Sequence, residues 1–222
     1  MVSIKFICII KRLIKLFFFF FFSNNVLFSQ SVFEDWITLD VAGEINEKLE
    51  LKLEYQHKYN YKDNRIRSSH VDLGVTYKVN KFSIGGFYRE IYKIKEDNRV
   101  TELRPHLDLF YKINDNLKLR LRNEYRIKEL QDNIFRYRLR LAYSLRVWDN
   151  YNPFFQNEIN FSEAKLTRDR FIFGLNIKIK DSPFKIKPSY IFESNRNESS
   201  NETHSFSWSF RNIIKIACNI KF

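Results

Sequence analysis

From about residue 33 to Phe222, apolar and polar residues alternate in block after block of roughly ten residues. Leu49, Leu51, Leu53 and Tyr55 take one parity, while Glu50, Lys52, Glu54 and Gln56 take the other. Successive side chains of a strand point to opposite faces, so each block has one apolar face and one charged face. A soluble sandwich would bury the apolar face against a second sheet. The charged face here is too continuous for that, and only five glycines are present. Lipid outside and a polar lumen inside fit better, at about 9–11 residues per crossing. The pattern predicts an all-β fold, a transmembrane antiparallel up-and-down β-barrel of about 10–12 strands.

Eleven alternating segments can be counted, opening near Ile37, Leu49, Val71, Phe82, Leu103, Leu117, Phe135, Phe155, Phe171, Phe184 and Phe206. The alternation is weaker in the second half. Bacterial single-chain barrels use even strand numbers. Ten strands result if the first segment lies outside the wall, and twelve if the last breaks near Arg211-Asn212. Pro105 and Pro188 fall mid-segment, where each removes a ladder donor, and are read as bulges. Short turns such as Asn114-Asp115-Asn116 alternate with longer polar loops at Lys62 to Ser69, Lys95 to Arg99 and Ser194 to Thr203. Tyr55, Tyr59, Tyr61, Tyr77 and Tyr111 sit near segment ends with lipid-side parity, as an interfacial aromatic girdle would.

The first 29 residues change the picture. Lys5, Lys11, Arg12 and Lys15 precede the apolar run Leu16 to Phe22, and the polar Ser23-Asn24-Asn25 follows. A basic region, a short apolar core and a small residue at a cut site make a secretory signal. Cleavage is expected after Ser29, giving a signal peptide over 1–29 and a barrel over 30–222. Cys8 lies in the signal without the small residues a lipoprotein site needs, and Cys218 is the only cysteine after it. This excludes an intrachain disulfide and a cysteine metal site. Four of the +12 formal charges lie in the signal, where there is no acid, leaving +8 for residues 30–222. In an exported barrel this excess points away from nucleic acid and toward anionic lipid head groups or an arginine-rich lumen.

The final stretch Ile214-Lys-Ile-Ala-Cys-Asn-Ile-Lys-Phe222 resembles the C-terminal signal of outer-membrane barrels, with Ile216, Ile220 and Phe222 as its apolar positions. The resemblance implies recognition by the barrel-assembly machinery. Trp36, Glu102-Leu-Arg-Pro105, Leu119-Arg-Leu-Arg-Asn-Glu124, Arg136-Tyr-Arg-Leu-Arg140 and Asn157-Glu158 carry a second likeness. In their order and spacing the chain resembles the outer-membrane barrels grouped as domain of unknown function 2490. That resemblance covers essentially the whole mature chain. It implies location and fold, and no activity.

Candidate chemistry is sparse. His57 has lipid-side parity, and His204 lies beside the last loop. His70 and His106 have luminal parity, and His106 shares a face with Glu102, Arg104 and Asp108. Neither has an obvious serine nucleophile at a matching position and parity, so a luminal hydrogen-bond network is the reading for both. No histidine pair has metal-ligand spacing, no glycine-rich phosphate loop exists, and no cofactor is expected. The sequons at Asn197 and Asn201 mean little in such a barrel.

The prominent constellation is luminal charge. Arg120, Arg122, Arg126, Arg136, Arg138 and Arg140 share inward faces with Glu102, Arg104, Asp108, Glu124 and Glu158, and across from them lie Glu50, Lys52, Glu54 and Lys58. Unpaired buried charge is costly, so these arginines require the carboxylates. A narrow barrel has its interior filled by side chains. The expectation is a non-enzymatic outer-membrane barrel of a Gram-negative cell, structural or binding in role, with a charge-filled lumen. The first alternative is a small anion-selective, porin-like channel. The others are an outer-membrane lipid-modifying enzyme and a soluble periplasmic barrel. Expected partners are outer-membrane lipid, lipopolysaccharide and, during biogenesis, the assembly machinery.

Overall fold

A computed structural model describes residues 32–95, 98–129, 132–198 and 206–222. The expected signal, His204 and Asn201 lie outside them. The described residues form eleven strands. These are β1 (Val32–Glu44), β2 (Leu49–Asn60), β3 (Arg65–Val79), β4 (Phe82–Lys95), β5 (Asn98–Lys112) and β6 (Leu117–Lys128). They continue as β7 (Ile134–Ser144), β8 (Tyr151–Ser162), β9 (Lys165–Lys178), β10 (Phe184–Glu198) and β11 (Phe206–Lys221). Each pairs antiparallel with its neighbours in sequence, and β1 closes on β11.

The even strand number expected from sequence is therefore corrected. β1 is a wall strand, and β11 runs unbroken through Arg211-Asn212. With eleven up-and-down strands the first and last run the same way, so closure must be parallel. The seam holds an unshifted register from Val32↔Arg211 to Ala42↔Lys221. Phe222 N donates to the Ala42 carbonyl at 3.0 Å, and Glu44 N donates to the Phe222 carbonyl at 3.1 Å.

The prolines are not bulges. Pairing of β5 with β6 lapses at Arg104 and Pro105, and pairing of β10 with β9 lapses at Lys187 and Pro188, yet the register is the same on both sides of each gap. A missing donor leaves the ladder open without inserting a residue. Register shifts occur instead at Lys58/Tyr59 and Asn160/Phe161.

The polar loops also contract. Most of Lys62 to Ser69 belongs to β3, and Lys95 to Arg99 leaves only residues 96–97 between strands. Polar side chains continue the wall there because they reach inward: Arg67 pairs with Glu34 at 2.5 Å, and Lys93 pairs with Glu102. Two connections at the opposite end share one device. Asn46 Oδ1 accepts from Lys48 N and Leu49 N, each at 2.9 Å, and Asn114 Oδ1 accepts from Asn116 N at 2.9 Å and Leu117 N at 2.8 Å. An Asn side chain that caps its own turn fixes a tight reversal. Lys112 lies 2.6 Å from Asp115 and lowers the pKa of that carboxyl group.

The outer face is an apolar belt. Ile37, Leu53, Leu73, Ile84, Leu107, Leu121, Leu141 and Ile216 are all exposed on it. Tyr59 and Tyr61 meet edge-on at one end, and Phe82 stacks on Tyr111 at the other. An apolar belt between aromatic rims on a closed barrel is the surface of a membrane-spanning barrel. Inside, glycines face aromatic rings across strand pairs. Phe87 covers Gly74 and Phe154 covers Gly174, so closely that a Cβ at either glycine would lie 2.5 Å or less from a ring carbon. A ring laid over a cross-strand glycine restores the packing that the missing side chain forfeits.

Candidate functional site in the lumen

The interior is built from the inward residues of each strand. Glu102, Asp108, Glu124 and Glu158 are at most 2% exposed. Their stems are short, so they stay against the wall and the long arginines bend over them. Arg122 donates from Nε and Nη2 to both oxygens of Asp108, at 2.6 and 2.7 Å. Such a bidentate, charge-assisted pair is stronger than a single neutral hydrogen bond and fixes the geometry of both side chains. Arg104 and Arg126 reach Glu102 at 2.7 and 2.6 Å. Glu124 takes Arg138 at 2.6 Å and also Arg136, with Arg104 at 3.6 Å. Glu158 is shared by Arg120 at 2.9 Å, Arg140 at 2.5 Å, Arg170 at 3.0 Å and Arg138 at 3.6 Å.

Reasoning from sequence singled out only part of this network. Glu34, Glu193, Arg168, Arg170 and Arg211 complete it. Glu193 takes Arg170 at 2.5 Å and Arg211 at 3.2 Å. Direct cross-strand pairing makes a ladder of alternating sign across β7 to β11: Arg140↔Glu158, Glu158↔Arg170, Arg170↔Glu193 and Glu193↔Arg211. Opposite charges facing each other across strands stabilise the pair. The signal for the missing members was their parity, which Arg170 and Glu193 share with the residues already identified.

His70 lies 2.7 Å from Glu54, itself 3.1 Å from Arg89. His106 stacks on Phe87 at 5.0 Å, and its Nδ1 lies 3.2 Å from the Arg104 carbonyl. Trp36 donates from Nε1 to Glu34 at 2.9 Å, with Lys58 over its ring at 4.0 Å and Arg170 at 5.3 Å. Glu50 pairs with Lys52 at 2.9 Å and Lys78 at 3.1 Å near the turn end.

One expectation about the lumen needs correction. The second half of the barrel is not polar throughout on its inner face. Phe154, Ile172, Ile191, Ile213 and Ala217 point inward and are buried, and four of them pack with Trp36 as an internal apolar cluster. Ile172↔Ile191 and Ile191↔Ile213 are direct cross-strand pairs, one step toward the turn end from the charge ladder.

Two cavities inside are lined by described residues. The first is about 210 Å³, lined by eleven arginines, three lysines and one carboxylate, Glu54. Wall carboxylates are covered by the guanidiniums that bind them, so the open space meets cations. Arg120, Arg136 and Arg138 each keep an Nε without a hydrogen-bond partner among the described residues. The second cavity, about 180 Å³, lies toward the turn end. The two share Trp36, Glu54, Arg140, Arg170 and Lys215 as a common wall.

Ile214 and Ile216 of the C-terminal strand face outward, and Phe222 is the most exposed of the large apolar side chains described. No curated protein matches the chain. Among solved structures it is similar to the NanC porin in its rhombohedral crystal form, at 11% identity and a TM-score of 0.49, over 87% of this chain and 100% of that one. It is also similar to an anion-selective porin from Comamonas acidovorans, at 11% identity and a TM-score of 0.38, over 74% of this chain and 55% of that one. The family described as "Protein of unknown function (DUF2490)" matches residues 33–204, and the chain belongs to it.

Proposed function

We propose that this chain is an exported outer-membrane barrel whose lumen binds small anions and lets them pass, with no chemical step of its own. The observation that carries the reading is the lining of the first cavity, fourteen cationic side chains against one carboxylate. A passage lined by one sign of charge inside low-dielectric walls concentrates ions of the other sign. Export through the signal at 1–29, assembly through the Ile216, Ile220 and Phe222 strand, and contact with lipopolysaccharide belong to the same reading. The apolar belt and aromatic rims support it.

A filled scaffold is the second reading, favoured by the burial of Glu102, Asp108, Glu124 and Glu158 under their arginines. Single-channel conductance of the refolded full chain in a planar bilayer separates the two. Replacing an arginine would strand a carboxylate, so the useful variant is Lys215→Gln. Lys215 lines both cavities and has no carboxylate within 4.0 Å among the described residues. Wild type is expected to open with anion selectivity. In Lys215→Gln the anion preference is expected to fall about fivefold, the effect of losing ~1 kcal/mol of Coulomb attraction. A folded, heat-modifiable barrel that stays silent, or that favours cations, would leave the scaffold standing.

A further inference from the structure

We propose that the second cavity is a binding site for an amphipathic monoanion, a carboxylate carrying a compact aromatic or short aliphatic body. The proposal rests on the anion-accepting lumen above and narrows it to a ligand class. The two cavities differ in kind. The first has Trp36 and Ile91 as its only apolar lining residues, whereas the second is lined by Trp36, Phe154, Ile172, Ile191 and Ala217. A water-filled passage gains nothing from apolar lining. A ligand with an apolar body gains by leaving water against it, at roughly 25 cal/mol per Å².

The charge at the same site is modest. Arg140, Arg170, Lys187 and Lys215 face it, together with Asp40 and Glu54. Arg140 and Arg170 are already engaged by Glu158 and Glu193. Lys187 and Lys215 are not held by any carboxylate within 4.0 Å among the described residues. Lys187 Nζ instead lies over the Phe154 ring at 4.2 Å. An unpaired ammonium beside an aromatic face presents a carboxylate partner and a ring partner together. The two carboxylates in the lining disfavour a polyanion and leave room for a single negative charge.

Size sets the limit. A cavity of about 150 Å³ holds benzene in a protein interior. At about 180 Å³, the second cavity matches a ring or short chain with one carboxylate.

The test is calorimetric titration of the full chain, refolded into lipid nanodiscs, with benzoate, acetate, benzyl alcohol and inorganic phosphate. Empty nanodiscs give the partition baseline. Benzoate is expected to bind at least tenfold more tightly than acetate, phosphate or benzyl alcohol. Lys187→Gln is expected to weaken benzoate at least tenfold, and Ile191→Ala to reduce the benzoate preference over acetate. Lys187→Gln strands no carboxylate, so a loss of benzoate binding in it does not come from an unpaired buried charge. Acetate or phosphate binding as tightly as benzoate would overturn this inference and leave the anion-binding lumen intact. Benzyl alcohol matching benzoate would overturn it by removing the role of charge. If none of the anions bound, both readings would fall.

Discussion

Two adjacent rows on the inner face of β9 to β11 bury side chains in opposite ways. One is the ladder Arg170, Glu193 and Arg211, continued on β8 by Glu158 and on β7 by Arg140. The other lies two residues along each strand, with Ile172, Ile191 and Ile213 facing one another. Glu158, Glu193 and Ile213 share the same near-complete burial. The ladder is held by Coulomb attraction that must first offset desolvation, so it is secure only while every member is present. The apolar row is held by surface withdrawn from water and by dispersion, which degrade gradually as atoms are removed. Two neighbouring rows on one scaffold therefore differ in how they fail.

Glu158→Gln should produce the largest effect and tests that difference directly. Glutamine keeps the shape but leaves Arg120, Arg138, Arg140 and Arg170 without their shared negative charge. The expected cost is about 3–5 kcal/mol, as for removing one partner of a buried ionic cluster. It would be read as a lower urea midpoint for loss of the heat-modifiable form in detergent. An unchanged midpoint would mean that lumen water screens the ladder and that the two rows are alike.

Ile213→Ala comes next. Ile213 is fully buried between Ile191 on β10 and Glu34 on β1. Truncation in a packed core costs about 2–5 kcal/mol, and the neighbouring cavity lets the site relax, so the low end is expected, ~2 kcal/mol. Refolding yield should stay near wild type, while the same measurement on Glu158→Gln should show a sharp drop. Equal losses would erase the distinction between the rows.

The rows also differ in how readable they are. Glu158 stands beside Ile159, Arg170 beside Phe171 and Glu193 beside Phe192, so each charged residue alternates with an apolar one and the strand period is plain. In the apolar row the inner residue matches its outer neighbours: Phe171-Ile172-Phe173, Tyr190-Ile191-Phe192 and Ile213-Ile214. Periodicity detects contrast between faces, and a strand apolar on both faces has none. That is why the alternation weakens over the second half and why the internal cluster escaped notice. Arg211 was hidden by a different cause. Arg211-Asn212 looks like a break in an apolar segment, and only β10 and β1 placed beside it supply Glu193 and Glu34 as partners. The odd strand number was legible as eleven segments. The even-number rule for bacterial barrels argues against that count, and parallel closure depends on what the two ends do in space, which no local pattern records.

The smallest effect separates stability from the lumen. β9 carries both rows and is joined to β8 by Glu163-Ala164, with φ of 50° and 61°. A two-residue hairpin with both central residues in the left-handed region favours Asn and Gly, and a Cβ there costs roughly 1–2 kcal/mol. Ala164→Gly relieves the strain at one position while giving the unfolded chain more freedom, which offsets part of the gain. The net expectation is a stabilisation of about 0.5–1 kcal/mol, seen as a higher urea midpoint. The substitution lies outside both cavities, so anion selectivity and benzoate binding should stay at their wild-type values. A stabilised barrel with unchanged lumen properties would place the losses in Glu158→Gln and Ile213→Ala in the rows themselves. A destabilised one would mean that the hairpin backbone shifts out of the left-handed region when it can, and that the register between β8 and β9 is set by their inner side chains.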